Sequence, residues 1–190
     1  MKRIFGVLAI GAALAAASIP ACAQPGGNGS VSAQASQTST PFEFRVGVSW
    51  ANGPDIQNDG KITAGVEYDF SNPVNGGGTL SVSADWIQVD YFVPVVTPTF
   101  IFAGTQTEST VPVLLNYKFY SSGPTSRFFG GVGVGAFLGN FGGFGYTGFV
   151  GYQFSHNWDV NVRYLGDAGS ATSGFARLNN VWSANVGVRF

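Results

Sequence analysis

Charged side chains are scarce in this chain. Asp, Glu, Lys and Arg together make up 10% of its 190 residues, against about a quarter in an ordinary soluble domain. Aromatic residues reach 15%, and there are 28 glycines. A soluble protein of this size needs a polar outer surface, and this composition supplies little material for one. The formal net charge of −1 also argues against nucleic acid as a partner.

Cysteine and histidine are almost absent. The one cysteine, Cys22, excludes a disulfide framework and a cysteine zinc site. The one histidine, His156, stands between a serine and an asparagine in a segment typical of a solvated turn, which leaves little for metal binding or general-base catalysis. We therefore expect no metal, no cofactor and no enzymatic activity.

The chain has one long apolar run, and it is N-terminal. Two basic residues precede an alanine-rich apolar stretch over residues 4–19, and small residues around Cys22 suit a cleavage site. This arrangement predicts a signal peptide over residues 1–23, with lipidation of Cys22 as the alternative. No later stretch approaches the roughly twenty apolar residues of a membrane-spanning helix. Residues 24–40 are rich in Gly, Ser, Gln, Thr and Ala and predict a flexible periplasmic tail.

From residue 41 onward, apolar residues alternate with polar residues or glycine. The alternation occupies eight segments, over residues 42–50, 61–70, 80–86, 111–119, 128–138, 146–154, 158–164 and 182–190. A period of two predicts β-strands. We expect an all-β fold over residues 41–190, an eight-stranded antiparallel up-and-down transmembrane β-barrel. In the third segment the phase slips after Trp86, which predicts a β-bulge near Ile87.

The links between these segments also alternate in kind. Short polar links alternate with longer ones, apart from a tight link over residues 139–143. An even number of strands puts both termini at one end of a barrel with the short turns, and the long loops at the other end. The link over residues 91–102 is unusually apolar for a segment that faces water. Either its flanking strands extend beyond the membrane as a hairpin, which we favour, or it is a surface for another protein or lipid.

The placement of charge decides which face of the strands meets lipid. None of the charged residues lies on the apolar phase of any segment. Nine of those on the opposite phase are predicted to face the lumen: Glu43, Arg45, Glu67, Asp69, Asp85, Lys118, Asp159, Arg163 and Arg189. A lipid-facing Lys or Arg at the midplane would cost about 2–4 kcal/mol. Eight strands also leave a lumen barely wide enough for side chains, so the many aromatic rings fit better outside. The apolar face is therefore predicted to be the outer one, with aromatic residues near the strand ends as an interfacial belt.

These nine residues form a predicted lumen charge network. With the termini taken as periplasmic, one group should cluster near that end (Glu43, Asp69, Lys118, Asp159 and Arg189). The second should lie nearer the middle together with the uncharged Asn116 (Arg45, Glu67, Asp85 and Arg163). Five acids against four bases are close to neutral, so pairing is expected in so narrow a lumen. The favoured hypothesis is a polar plug, and the alternative is a gated conduit for small ions or solutes.

The last nine residues, 182–190, alternate in polarity and end in phenylalanine. They resemble the C-terminal signature of outer-membrane barrels. Residues 111–119 followed by 130–135 are similar to the fourth and fifth strands of small OmpA/OmpX-like and opacity-type barrels. The resemblance spans roughly residues 41–190. It implies a place in the cell outer membrane, contact with outer-membrane lipid and lipopolysaccharide, and recognition of the final strand by the barrel assembly machinery through Trp182, Val186, Val188 and Phe190.

Such barrels have many roles, so the resemblance says little about activity. The favoured hypothesis is a non-enzymatic protein with an envelope structural or surface-interaction role, a polar, plugged lumen and a possible surface partner at residues 91–102. A narrow porin that passes small solutes or ions is the alternative. A hydrolase of the lipid A deacylase or omptin type would need its histidine near the extracellular rim, whereas His156 is predicted at the opposite end.

Overall fold

The computed structural model describes residues 41–71, 77–96, 101–123, 126–170 and 176–190. The predicted signal peptide and periplasmic tail lie outside these residues. No helix in the described ranges is long and apolar enough to cross a membrane.

Nine strands are present in the described residues: β1 (Phe42–Asn52), β2 (Ile56–Gln57), β3 (Gly60–Asp69), β4 (Gly77–Val96), β5 (Ile101–Tyr120), β6 (Arg127–Gly139), β7 (Gly143–Gln153), β8 (Trp158–Ser170) and β9 (Arg177–Arg189). All pairings are antiparallel. The sheet runs in the order β2-β4-β3-β1-β9-β8-β7-β6-β5, and a further pairing of β5 with β4 closes it. The barrel therefore consists of β1 and β3 to β9, while the two-residue β2 adds to the outer part of β4. The predicted eight-stranded up-and-down barrel is confirmed.

The two ends of the barrel differ. β1 begins and β9 ends at one end, which we call the terminal end, because Glu43 pairs with Arg189. The opposite end, where Trp50 pairs with Trp182, is the loop end. The hairpin of β4 and β5 continues beyond the other strands there, and the register still holds at its last described pair, Val96 with Ile101. The favoured hairpin interpretation of residues 91–102 is confirmed for the residues that the structure describes.

The outer wall carries the apolar phase of every barrel strand. Large exposed side chains form one ring near the terminal end (Phe42, Phe70, Phe128, Phe154, Trp158 and Phe190) and another near the loop end (Trp50, Trp86, Phe144, Tyr146 and Trp182). Eight residues of β1 separate the two rings, about 27 Å along the strand. A tilt of roughly 40° reduces this to about 20 Å, close to the apolar band of about 25 Å in outer-membrane barrels.

The predicted bulge near Ile87 is wrong. β4 keeps one register with β5 on both sides of this point, because Ala84 pairs with Val113 and Ile87 with Thr110. Side chains continue to alternate, with Ile87 buried inside the barrel. The apparent slip has another cause. Beyond the loop-end ring the outer face of β4 meets water and the inner face meets an apolar core, so the polarity of the two faces exchanges. A register shift does occur in β8, between Gly166 and Gly169.

Candidate functional site

The lumen brings together all nine residues of the predicted charge network. Each is buried, with at most 7% of its surface exposed. Their charged groups join into two connected layers, one toward the terminal end and one near the middle of the barrel.

The terminal layer is organised by two cations. Arg189 on β9 makes ion pairs with Glu43 on β1 (2.7 Å), Asp69 on β3 (3.2 Å) and Asp159 on β8 (3.4 Å). Lys118 reaches Asp69 (3.2 Å) and Glu43 (3.6 Å) from β5 on the other wall. Since these five residues come from five strands, the layer ties opposite walls of the lumen together.

The middle layer is built on two arginines. Arg45 pairs with Glu67 and with Asp85 (2.8 Å). Arg163 crosses the lumen from β8 to Glu67 (3.0 Å) and Asp85 (3.3 Å), and donates to the Ser83 hydroxyl (3.1 Å). Two ion pairs connect the layers, from Lys118 to Glu67 (3.0 Å) and from Arg45 to Glu43 (3.4 Å). Buried charges that share several partners in this way form a fixed polar filling.

Small inward residues make room for these groups. A side chain at Gly65 would overlap the Asp85 carboxylate, and one at Gly133 would overlap the amide of Asn116. That amide in turn donates to the Ser83 hydroxyl (3.0 Å). Glycine and serine on the charged phase are therefore what allows the long charged side chains to fold across so narrow a lumen.

The loop end of the lumen is apolar, which corrects the expectation of a polar lumen throughout. We call this the apolar plug, a cluster of buried side chains from six barrel strands and two links: Ala51, Ile87, Val89, Tyr91, Leu114, Phe137, Phe141, Leu165, Ala176, Leu178 and Val181. Above the loop-end ring no lipid faces the wall, so the barrel buries apolar groups inside as a soluble domain does.

Phe141 closes the plug from the link between β6 and β7. Its ring is fully buried and meets Tyr91 edge to face at 5.9 Å, and its carbonyl accepts a hydrogen bond from the Thr110 hydroxyl (3.0 Å). Gly139, with a φ of 111°, makes the turn that sends the link inward.

Sequence reasoning missed a group of inward aromatic residues. Tyr120, Phe129 and Phe149 cluster on the inner side of β5 to β7, and cations lie over their rings, with Arg163 at 4.6 Å from Phe149 and Arg127 at 4.1 Å from Tyr120. The alternation of side chains along each strand places these three rings on the same phase as the charged residues. Their inward position could therefore be read from the sequence, but they were hard to distinguish from the many aromatic residues on the outward phase.

The side chains to consider for catalysis are the one histidine and the lumen carboxylates. His156 is exposed in the turn between β7 and β8, at the terminal end. In the described ranges, no group of three or more His, Cys, Asp or Glu side chains could hold a metal ion. Each carboxylate of the lumen charge network makes an ion pair with a lysine or arginine.

The C-terminal residues with a predicted assembly role lie on the outward face of β9. Trp182, Val186 and Phe190 are exposed, and Val188 is half-buried.

Of the apolar link over residues 91–102, Tyr91 belongs to the plug, whereas Phe92 is 43% and Ile101 75% exposed. Residues 97–100 lie outside the described residues.

No family model and no curated protein sequence matches this chain. Several solved structures are similar to it. Ail, the attachment invasion locus protein of Yersinia pestis, was solved with the heparin analogue sucrose octasulfate; it is 13% identical, with a TM-score of 0.46 over 78% of this chain and 97% of that one. A second Ail structure is 14% identical (TM-score 0.43, 80% and 99% covered). The outer-membrane enzyme PagL is 15% identical (TM-score 0.43, 78% and 97% covered).

The protein has the fold of the small outer-membrane β-barrels: eight strands close on themselves, and the apolar outer wall is bounded by two aromatic rings.

Proposed function

We propose that this protein is a non-enzymatic barrel with a closed lumen, and that its function lies in contacts made outside the membrane by the β4/β5 hairpin. The observation that carries the proposal is the double filling of the lumen. The two charged layers fill its terminal half, and the apolar plug fills its loop end. A solute would have to displace both, which argues against the narrow-porin alternative.

The hairpin extends well beyond its neighbours. β6 pairs with β5 only as far as Thr110, followed by one hydrogen bond from the Asn140 amide to the Ser109 carbonyl (3.4 Å). From Ser109 to Ile101 the strand continues for eight residues, about 27 Å. Within the described part of the chain, no strand pairs with this outer edge of β5.

An open edge offers unpaired backbone donors and acceptors to another strand. Since the Ser109 carbonyl points toward β6, the alternation of backbone groups along an antiparallel strand directs those of Thr107, Thr105 and Ala103 to the same open side. All three residues are exposed. The edge carries neither lysine nor proline, the usual protections against edge pairing. We infer that the partner contributes a segment in extended conformation.

The base of the hairpin is held by charge. Lys61 lies 2.5 Å from Asp90, and the Thr107 hydroxyl donates to the same carboxylate (2.6 Å). Burial raises the pKa of Asp90, but the hydrogen bonds from Lys61 and Thr107 and the charge of Lys61 outweigh it, so the pKa lies below its ordinary value. The carboxylate therefore stays ionised at neutral pH and keeps both partners.

We also propose, from the resemblance of residues 182–190, that the assembly machinery recognises the outward face of β9. Lipid and lipopolysaccharide are the proposed surroundings of the wall.

Thr105→Pro should weaken the binding of extended peptides about tenfold, because proline removes one open-edge N–H and leaves the β4–β5 bonds in place. The measurement selects short random peptides on the purified protein in detergent micelles and compares their affinities for the variants. Thr105→Ala is the matched control, since it removes the side chain but keeps the N–H, and it should bind as the original protein does. Peptides that bind the proline and alanine variants equally well would show that the edge is not the contact.

A further inference from the structure

The lipid-facing wall contains a groove with a glycine on its floor. Gly148 lies on the outward phase of β7, between Val132 of β6 and Tyr164 of β8. The groove has a volume of about 600 Å³, and its apolar sides are Phe119, Val150, Val162, Tyr164 and Trp182. A second groove, of about 660 Å³, adjoins it and shares Val150 and Val162.

Gly148 differs from the glycines around it. A side chain at Gly131, Gly133, Gly135, Gly145 or Gly151 would overlap with neighbouring backbone or side-chain atoms, so the fold requires glycine there. A Cβ at Gly148 would meet nothing within 4 Å. Glycine in a strand interior weakens the strand, because it loses more conformational freedom on folding and packs no side chain. The fold therefore gains nothing from glycine at this position, and the empty space needs another explanation.

The position of the groove is the argument for its occupant. Gly148 is two residues from Tyr146 of the loop-end ring. One end of the groove is formed by Tyr164 and by Trp182, which belongs to the same ring, and their rings are in edge-to-face contact at 4.9 Å. With the termini periplasmic, this ring lies in the outer leaflet. The apolar surface between the two aromatic rings meets the hydrocarbon of the membrane. The side chains that line a groove in this surface gain dispersion contacts only when a lipid acyl chain fills the groove.

We propose that the Gly148 groove is a binding site for an acyl chain of an outer-leaflet lipid of the lipopolysaccharide type. The chain descends from the level of Tyr164 and Trp182 and lies over the backbone of Gly148. The site is independent of the hairpin contact, and neither proposal depends on the other.

The test compares Gly148→Leu with Ala136→Leu. Ala136 is also a small outward residue, on β6, but it does not line either groove. The full-length protein is incubated in mild detergent with equal amounts of lipopolysaccharide and phosphatidylethanolamine, and the lipid retained is measured by native mass spectrometry. Thermal unfolding of the lipid-free protein is measured in parallel.

Gly148→Leu should raise the unfolding midpoint by about 2–4 °C and lower the retained lipopolysaccharide about tenfold, while Ala136→Leu retains lipid as the original protein does. Equal retention by the two variants would overturn the proposal. A lower midpoint for Gly148→Leu would also overturn it, because glycine would then be required by the fold. Preferential retention of phosphatidylethanolamine would overturn the assignment to the outer leaflet.

Discussion

Arg163→Met should destabilise the barrel by about 3–5 kcal/mol, because it leaves Glu67 and Asp85 in a dry lumen without one of their cations. The arginine also lies over the Phe149 ring and donates to Ser83, and methionine keeps most of its volume without either contact. If the lumen were filled with water, the same change would cost no more than about 1 kcal/mol, as at a protein surface. The free energy of unfolding therefore distinguishes a dry lumen from a wet one.

The measurement is urea unfolding in phospholipid vesicles, followed by tryptophan fluorescence. Arg163→Met combined with Asp85→Asn should recover part of the loss, since it restores the charge balance of the layer. Lys61→Met is the control, because it removes a cation from a partly exposed ion pair with Asp90 at the rim, and it should cost no more than about 1 kcal/mol. A loss for Arg163→Met as small as that for Lys61→Met would contradict the account of the charged layers.

Phe141→Ala should cost about 3–5 kcal/mol, the range for deleting a buried phenylalanine. Its ring is fully enclosed by the plug and rests against Tyr91, so alanine leaves a cavity at the loop end that the surrounding strands can close only in part. The same urea unfolding experiment measures the effect.

Phe92→Ala is the control for Phe141→Ala. Phe92 lies beyond the loop-end ring, where the outer face of β4 meets water, and it is 43% exposed, so its loss should cost about 1 kcal/mol. Equal losses for the two variants would mean that the link between β6 and β7 does not close the lumen as described.

The barrel itself could be predicted from the sequence because a strand that crosses lipid has apolar residues at every second position. Between the two aromatic rings every outward residue meets hydrocarbon, so the period-two alternation stays in one phase, as in residues 42–50 of β1. All nine charged residues of the predicted lumen network lie inside the barrel. Which of them pair could not be read from the sequence, since Arg163 reaches across the lumen to residues 78 and 96 positions away in the chain.

The apolar plug could not be predicted, for a physical reason seen in β4. Beyond Trp86 the strand leaves the membrane, and Gln88 and Asp90 then occupy the outward face while Ile87 and Val89 turn inward. A strand that crosses from lipid into water exchanges the polarity of its two faces without changing its register. In the sequence, this exchange gives the same pattern as a β-bulge, because the sequence does not show where the membrane ends.

The most direct test of the closed lumen is single-channel conductance of the refolded protein in planar bilayers, for the original chain, Arg45→Ala and Arg163→Ala, with folding checked by a heat-dependent gel shift. We expect no steady openings from any of the three, since removing one arginine opens part of a charged layer but leaves the apolar plug in place. Steady openings that grow when either arginine is removed would show a continuous water path gated by the charge pairs, and would contradict the account in favour of a narrow porin.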